Sequence, residues 1–230
     1  MPTQPVPIVI FGAGSIVSDA HLPAYEQNNL PVIGLYDLDY EKAKALGQKF
    51  NISVFKDPAE AAAIQNCIFD LAIPPSAHHK VLELIPENSA VILQKPMGSN
   101  LSEASNILTL CRKKSLNACV NFQLRFAPMM IALKDIINKG LIGEIVDIDM
   151  WAALDTPWNL WKFLEDLPRV EILLHSIHYF DAIRFLVGNP HGVHAKTMGH
   201  PASKISNTRT AAILDYGEDL RCAVSINHNH

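Results

Sequence analysis

The chain is expected to fold as an α/β protein, a doubly wound parallel sheet followed by a smaller α+β region. Three observations carry that expectation. Short apolar runs alternate with helical patterns through the first half, a glycine-rich turn follows the first run, and past residues 122–126 longer segments of alternating character take over.

The runs are PIVIFG (7–12), VIGLYD (32–37), IFDLAI (68–73), AVILQK (90–95) and NACVNF (117–122). Each is almost continuously apolar and bounded by turn residues, the pattern of strands buried on both faces. Helical segments lie between them. DYEKAKALGQKF follows Asp37, DPAEAAAIQ carries Pro58 in its first turn, and SNLSEASNILTLCRKK has Ser99 or Asn100 available as a cap. In the second region PMMIALKDIINKG predicts a helix closed by Gly140, and EIVDIDMWAAL a long strand. A further helix runs from about Arg169 to Val187, with Gly188 at its end and Pro190 beyond. GVHAKTMGH, RTAAILDYG and DLRCAVSINHNH read as antiparallel-type strands, the last two joined by a tight turn at Gly217–Asp219. The expected division is residues 1–122 and 123–230. The final run has no cap or turn, so the second sheet is expected to be incomplete at its C-terminal end; the terminal His228 and His230 receive no role.

Composition narrows the function classes. With 230 residues the chain is long enough for one large domain or two small ones, and a formal net charge of −4 offers no basic excess for nucleic acid. No run approaches the apolar length of a membrane span, and MPTQPVPIVIFGAG lacks the positive start of a signal peptide, so a soluble cytoplasmic protein without a membrane partner is expected. Cys67, Cys111, Cys119 and Cys222 show no paired spacing and read as small buried hydrophobes in a reducing compartment.

VIFGAGSIVSDAH places Gly12 and Gly14 directly after the first strand, with Ser15 and Ile16 where a helix should begin. Gly12 permits a tight turn, Gly14 lets a pyrophosphate approach the backbone, and the helix N-terminus offers N–H groups to its charge. The third position of the G-x-G-x-x-G pattern is Val17. Asp37 closes the second strand about 25 residues beyond Gly12, where an acidic side chain binds the ribose 2′-hydroxyl. Asp37-Leu38-Asp39 offers no cation for a 2′-phosphate, which favours NAD over NADP. A glycine turn without a ligand is the alternative.

One further cluster stands out. In RVEILLHSIHYFD, a regular helix puts Glu171, His175 and His178 within roughly 60° of arc. The stripe reads as catalytic or substrate-facing, with a structural polar network and a mononuclear metal as alternatives.

FGAGSIVSDAHLPAY, AIPPSAHHKVL, LQKPMG, NFQLRFAP and HSIHYFDAIRFLVGNP occur in the order seen in the Gfo/Idh/MocA family of NAD(P)-dependent oxidoreductases, which the chain resembles over nearly its whole length. The resemblance implies an N-terminal Rossmann domain, a C-terminal domain on an open, mostly antiparallel sheet, and hydride transfer between a nicotinamide and a sugar or polyol carbon. It places Pro74, Pro75 and His78, and the Gln94-Lys95-Pro96 turn, beside the cofactor. Lys95 matches the lysine of the family's E-K-P motif, with Gln94 in place of the glutamate. His178 matches the active-site histidine, and Leu174 stands where many members carry an aspartate. The family also implies a homo-oligomer built through the C-terminal sheet.

On these residues His178 is the expected base, because its intrinsic pKa suits proton exchange near neutrality, and Lys95 the electrophile that orients the reacting oxygen. Glu171 and His175 are the ionisable groups available to take over from the missing aspartate. Trp158 and Trp161 offer aromatic faces to a sugar ring or plug the core, and Arg125 binds substrate or pairs with an acid. A sensor that binds nucleotide and sugar without chemistry, and a glycosidase using NAD for transient oxidation, are the competing classes.

Overall fold

Five of the apolar runs become parallel strands, β1 (Ile8–Phe11), β2 (Val32–Tyr36), β3 (Ile68–Leu71), β4 (Ala90–Leu93) and β5 (Asn117–Val120). They belong to a computed structural model that describes residues 4–158, 164, 169–201 and 203–229. The chain divides into two compact units, Met1–Asn121 and Phe122–His230.

In the first unit the strand order is β2-β1-β3-β4-β5, and the neighbours pair in parallel. Two-residue alternation sends Ile8 and Ile10 to one face and Val9 and Phe11 to the other, and both faces are covered. Val17, Leu22, Ala43 and Leu46 pack on the first face, while Leu82, Ile85, Ile107 and Cys111 pack on the second. Most of these come from α1 (Leu22–Gln27), α2 (Tyr40–Phe50), α4 (Pro75–Leu84) and α5 (Leu101–Lys113), with Ile85 just past α4 and Val17 just before α1; α3 (Pro58–Ala62) adds Ala61 and Ala62 to the second face. The caps follow from side-chain chemistry. Asp39 accepts from the Lys42 amide, Asp57 from that of Ala59, and Asn100 rather than Ser99 caps α5 by accepting from Glu103.

Three details depart from the sequence reading. Helix α4 went unread, although Pro74-Pro75 sets a proline at its first turn. Helix α1 is preceded by a π turn, Val17–His21, that opens where the third glycine of the pattern would sit; Val17 is fully buried there. Strand β5 is not buried on both faces, and Cys119 is exposed rather than a core residue. Strand β5 lies at the sheet edge, and its alternation leaves Asn117 and Cys119 on the uncovered face.

The second unit holds a 3-10 turn (Gln123–Phe126), α6 (Pro128–Asn138), β6 (Asp147–Ala153), a π turn (Ile172–Ser176) running directly into α7 (Ile177–Val187), β7 (Gly192–Met198), β8 (Arg209–Asp215) and β9 (Arg221–Asn227). Among the described residues its sheet has the order β6-β9-β8-β7; β6 and β9 pair in parallel and the other two pairs are antiparallel. The inner face, with Ala212, Leu214, Cys222, Val224 and Ile226, packs on Ile183, Tyr179 and Phe180 of α7. Helix α7 ends at Gly188, whose φ of +89 suits glycine, and Lys134 of α6 donates to the Leu186 carbonyl near that end. The outer face leaves Trp151 and Ile213 exposed. Among the described residues no helix is long and apolar enough to cross a membrane.

Candidate functional site

The strand order reverses between β1 and β3, so the carboxyl ends of these two strands flank a switch point, where open α/β sheets bind ligands. Gly12 leaves β1 with φ +110, and a methyl group on it would collide with the Ala72 carbonyl at the end of β3. Glycine is therefore required twice over, by backbone conformation and by space. A methyl on Gly14, in contrast, would meet nothing within 4 Å, and Ser15 and Ile16 are exposed. That leaves the loop and the first helical residues open to a ligand. Pro74 and Pro75 follow β3 and start α4.

Asp37, at the end of β2, has a task the sequence did not reveal. Its Oδ2 accepts from the Ala13 amide at 2.6 Å and its Oδ1 from the Asp39 amide at 2.9 Å, so the carboxylate ties the glycine loop to the next strand. Each oxygen keeps a lone pair for a ribose hydroxyl. These residues fit a dinucleotide: an open glycine turn, a helix start and a prepositioned acceptor.

Below the loop lies a network that went unread. Asp70, fully buried in β3, accepts from His21 Nδ1 at 2.7 Å and from the Tyr25 hydroxyl at 2.8 Å. His21 is the last residue of the first π turn, so the carboxylate joins that turn to the central sheet. Burial and the neighbouring charge push the Tyr25 phenol up, which keeps it a neutral donor.

Lys95 follows β4 and precedes Pro96 across a cis peptide bond. It is half-buried, and desolvation holds its ammonium below the ordinary lysine value. Gln94 accepts from Asn121 Nδ2 at 3.1 Å, a neutral amide contact where the family's glutamate would bring a charge. His78 is fully buried; its Nδ1 donates to the Met97 carbonyl at 3.0 Å, so the ring faces the backbone of the Lys95 turn and not the solvent.

In the second unit the expected stripe falls partly on a π turn and not on a regular helix throughout. The π turn inserts one residue between Glu171 and His178 relative to a regular helix, and each side chain meets different company. Glu171 is fully buried: Oε1 accepts from the Ser176 amide at 3.1 Å, and both oxygens accept from Ser176 Oγ, at 2.7 and 2.9 Å. Burial pushes its carboxyl up, opposed by the Ser176 donors. His228 Nε2 lies 3.7 Å from Glu171 Oε1, and His228 Nδ1 is hydrogen-bonded to Thr156 at 2.6 Å. His175 stacks on His228, with centroids 4.1 Å apart and planes at 30°. Rings stacked in this way do not direct their nitrogens to a common point. Among the described residues no group of three or more His, Cys, Asp or Glu side chains is arranged to hold a metal ion.

His178 is 9% exposed, with the Phe122 ring edge-on at 6.2 Å. One turn further, Asp181 receives both Nε and Nη2 of Arg125 at 2.6 Å, a planar fork on a buried carboxylate. Arg125 is thus paired with an acid, the second of its two expected roles. Trp158 is buried, donates to the His228 carbonyl at 3.2 Å and meets the edge of His175. Trp161 lies outside the described residues. Of the predicted residues, Glu171, His175 and Trp158 are brought together around His228. The missed members, Asp70, Ser176, Asp181 and His228, are polar groups whose partners come largely from distant or apolar-looking stretches.

A family model described as "Oxidoreductase family, NAD-binding Rossmann fold" matches residues 6–122, half of the chain. The chain belongs to the Gfo/Idh/MocA family. It is 25% identical over 197 residues to the D-glucoside 3-dehydrogenase of Escherichia coli, covering 83% of this chain and 56% of that protein. It is 26% identical over 214 residues to the D-apiose dehydrogenase of Paraburkholderia graminis, covering 89% and 56%. The chain therefore spans little more than half the length of these relatives. An oxidoreductase from Agrobacterium radiobacter, solved in complex with NAD+, L-tartaric acid and magnesium, has the same fold: TM-score 0.85 at 21% identity, over 98% of this chain and 67% of that one.

Proposed function

We propose that the chain is an NAD-dependent oxidoreductase that moves a hydride between the nicotinamide and a hydroxyl-bearing carbon of a sugar or sugar-derived alcohol. The observation that carries the reading is the open Gly12–Gly14 turn clamped by Asp37, with a lone pair left on each carboxylate oxygen. The dehydrogenase names of two relatives that act on sugars support the substrate class. Two carboxylates, Asp37 and Asp39, at the end of β2 favour the 2′-hydroxyl of NAD over a 2′-phosphate.

Bound NAD supplies the hydride acceptor; the chain supplies binding, orientation and proton handling. Gly12, Gly14, Ser15 and Ile16 hold the pyrophosphate, with Pro74, Pro75, Gln94 and Pro96 shaping the neighbouring turns. His78 acts through the Lys95 turn and not on the nucleotide itself. The Lys95 ammonium donates to the reacting oxygen and stabilises negative charge developing there. As the C–H bond of the alcohol breaks and its electron pair leaves as hydride, His178 accepts the hydroxyl proton. Arg125 holds Asp181, and Trp158 packs against His175 and His228. Four free thiols suit a reducing compartment, the cytoplasm. The exposed outer face of the second sheet supports a homo-oligomer.

The test is absorbance at the reduced-nicotinamide band with NAD and a panel of sugars and polyols. Net growth of NADH with at least one of them is expected. Glycoside hydrolysis without net NADH points to a glycosidase, and binding without either product to a sensor, the class that Leu174 at the aspartate position favours; either outcome overturns the proposal.

A further inference from the structure

We infer that Glu171 is a positioning residue: with Ser176 it locks the π turn Ile172–Ser176 and thereby sets the rotation at which α7 presents His178. The inference deepens the proposed function, since its catalytic consequence rests on His178 as the proton acceptor.

The argument begins from hydrogen-bond accounting. In a regular α-helix the Ser176 amide would close a turn on the Ile172 carbonyl. Here the turn is π, with bonds reaching one residue further: the Ile172 carbonyl accepts from the Ile177 amide, and the Ser176 amide donates to the Glu171 carboxylate in addition to its place in the turn. The extra residue turns everything beyond it by about 100° relative to an unbroken helix. Such turns are rare and need compensation, and they concentrate at functional positions. The compensation is visible: the two Ser176 hydroxyl contacts at 2.7 and 2.9 Å complete a local clamp between the residue before the turn and its last residue.

The need for an extra residue follows from what holds the helix at either side. At its start, the Val170 amide donates to the Ser206 carbonyl and the Glu171 amide to that of Asn207, which anchors it to the segment leading into β8. Further along, Asp181 is held by the Arg125 fork and His178 lies against Phe122, which anchors a different face to the 3-10 turn. The wide turn reconciles these two anchorages. A fully buried carboxylate is costly to keep, and bonding the Ser176 amide and hydroxyl together is a task that a packed apolar side chain at this position cannot perform.

The test uses the full chain with Ser176→Ala, Glu171→Gln, Glu171→Leu and His178→Ala. The 15N-labelled imidazole of His178, assigned by its loss in His178→Ala, is titrated by NMR, and kcat and KM are measured on the alcohol found with the panel. Ser176→Ala and Glu171→Leu are expected to move the His178 signal and its titration midpoint, and to lower kcat by about tenfold or more with KM changed far less. Glu171→Gln keeps shape and an acceptor oxygen and is expected to stay close to the parent. Unchanged His178 signals and pH profile in folded Ser176→Ala overturn the inference, and this milder variant decides alone where Glu171→Leu does not fold. Full turnover in His178→Ala sinks the proton-acceptor role instead, while the NMR arm, which needs no turnover, still decides the positioning role.

Discussion

The two units use the same backbone device and secure it differently. Each has a π turn in a helix that carries a family motif, and in each a fully buried carboxylate bonds the last residue of that turn. In the first unit the carboxylate is Asp70, on a strand 49 positions from His21 in sequence. In the second it is Glu171, only five positions from Ser176. A distant carboxylate ties a helix to a sheet, so its loss loosens packing between elements. A local one defines the turn itself, so its loss changes which way a helix faces. Stability should therefore respond more to the first, and the surroundings of His178 more to the second.

The largest effect is expected from Asp70→Ala, which leaves the His21 imidazole and the Tyr25 hydroxyl buried without their acceptor. A loss of about 3 kcal/mol in urea unfolding, with the His178 NMR signal unmoved, would bear out the contrast. Ser176→Ala, which removes hydroxyl bonds to a carboxylate, should cost less, about 2 kcal/mol by the same method. Equal losses with equally displaced His178 signals would erase the distinction.

Smaller effects come from protonation. Burial raises the Glu171 carboxyl above its ordinary 4.5, so the folded state holds that proton more tightly than the unfolded one. Its stabilising effect is complete below that value and is lost as pH rises through the folded pKa. The His228 imidazole is held below its ordinary 6.5, with the opposite sign: its contribution is present above 6.5 and is lost as pH falls through the folded pKa. Urea midpoints measured across this range should lose the first trend in Glu171→Gln and the second in His228→Gln. In the first unit, the depressed Lys95 pKa should produce an alkaline fall in kcat/KM below its ordinary 10.5, and Lys95→Arg, which stays charged, should flatten that fall in whatever activity it retains.

The same contrast explains what was legible in the sequence. Gly12, Gly14 and Asp37 were readable because turn, strand end and acidic residue are local signals at fixed spacing. So were the alternating strands and the glycine stop at Gly188. Asp70 was hidden because a single carboxylate in IFDLAI gives no hint of partners on a helix far upstream. His228 sat in an Asn/His run near the end of the chain, and only the pairing of β9 beside the α7 region reveals it as the ring on which His175 stacks. The stripe was drawn for a regular helix, and the π turn Ile172–Ser176 changes the angle at which Glu171 and His178 leave that helix.

The claim that most of the account depends on is that Asp37 and the glycine turn hold NAD. A binding titration of the unmodified chain and of Asp37→Ala with NAD and NADP tests it directly. The account predicts that the unmodified chain binds NAD more tightly than NADP, and that Asp37→Ala weakens NAD by about tenfold or more and erases the preference. No binding of either nucleotide, or an Asp37→Ala variant that keeps both its NAD affinity and its preference, would contradict it.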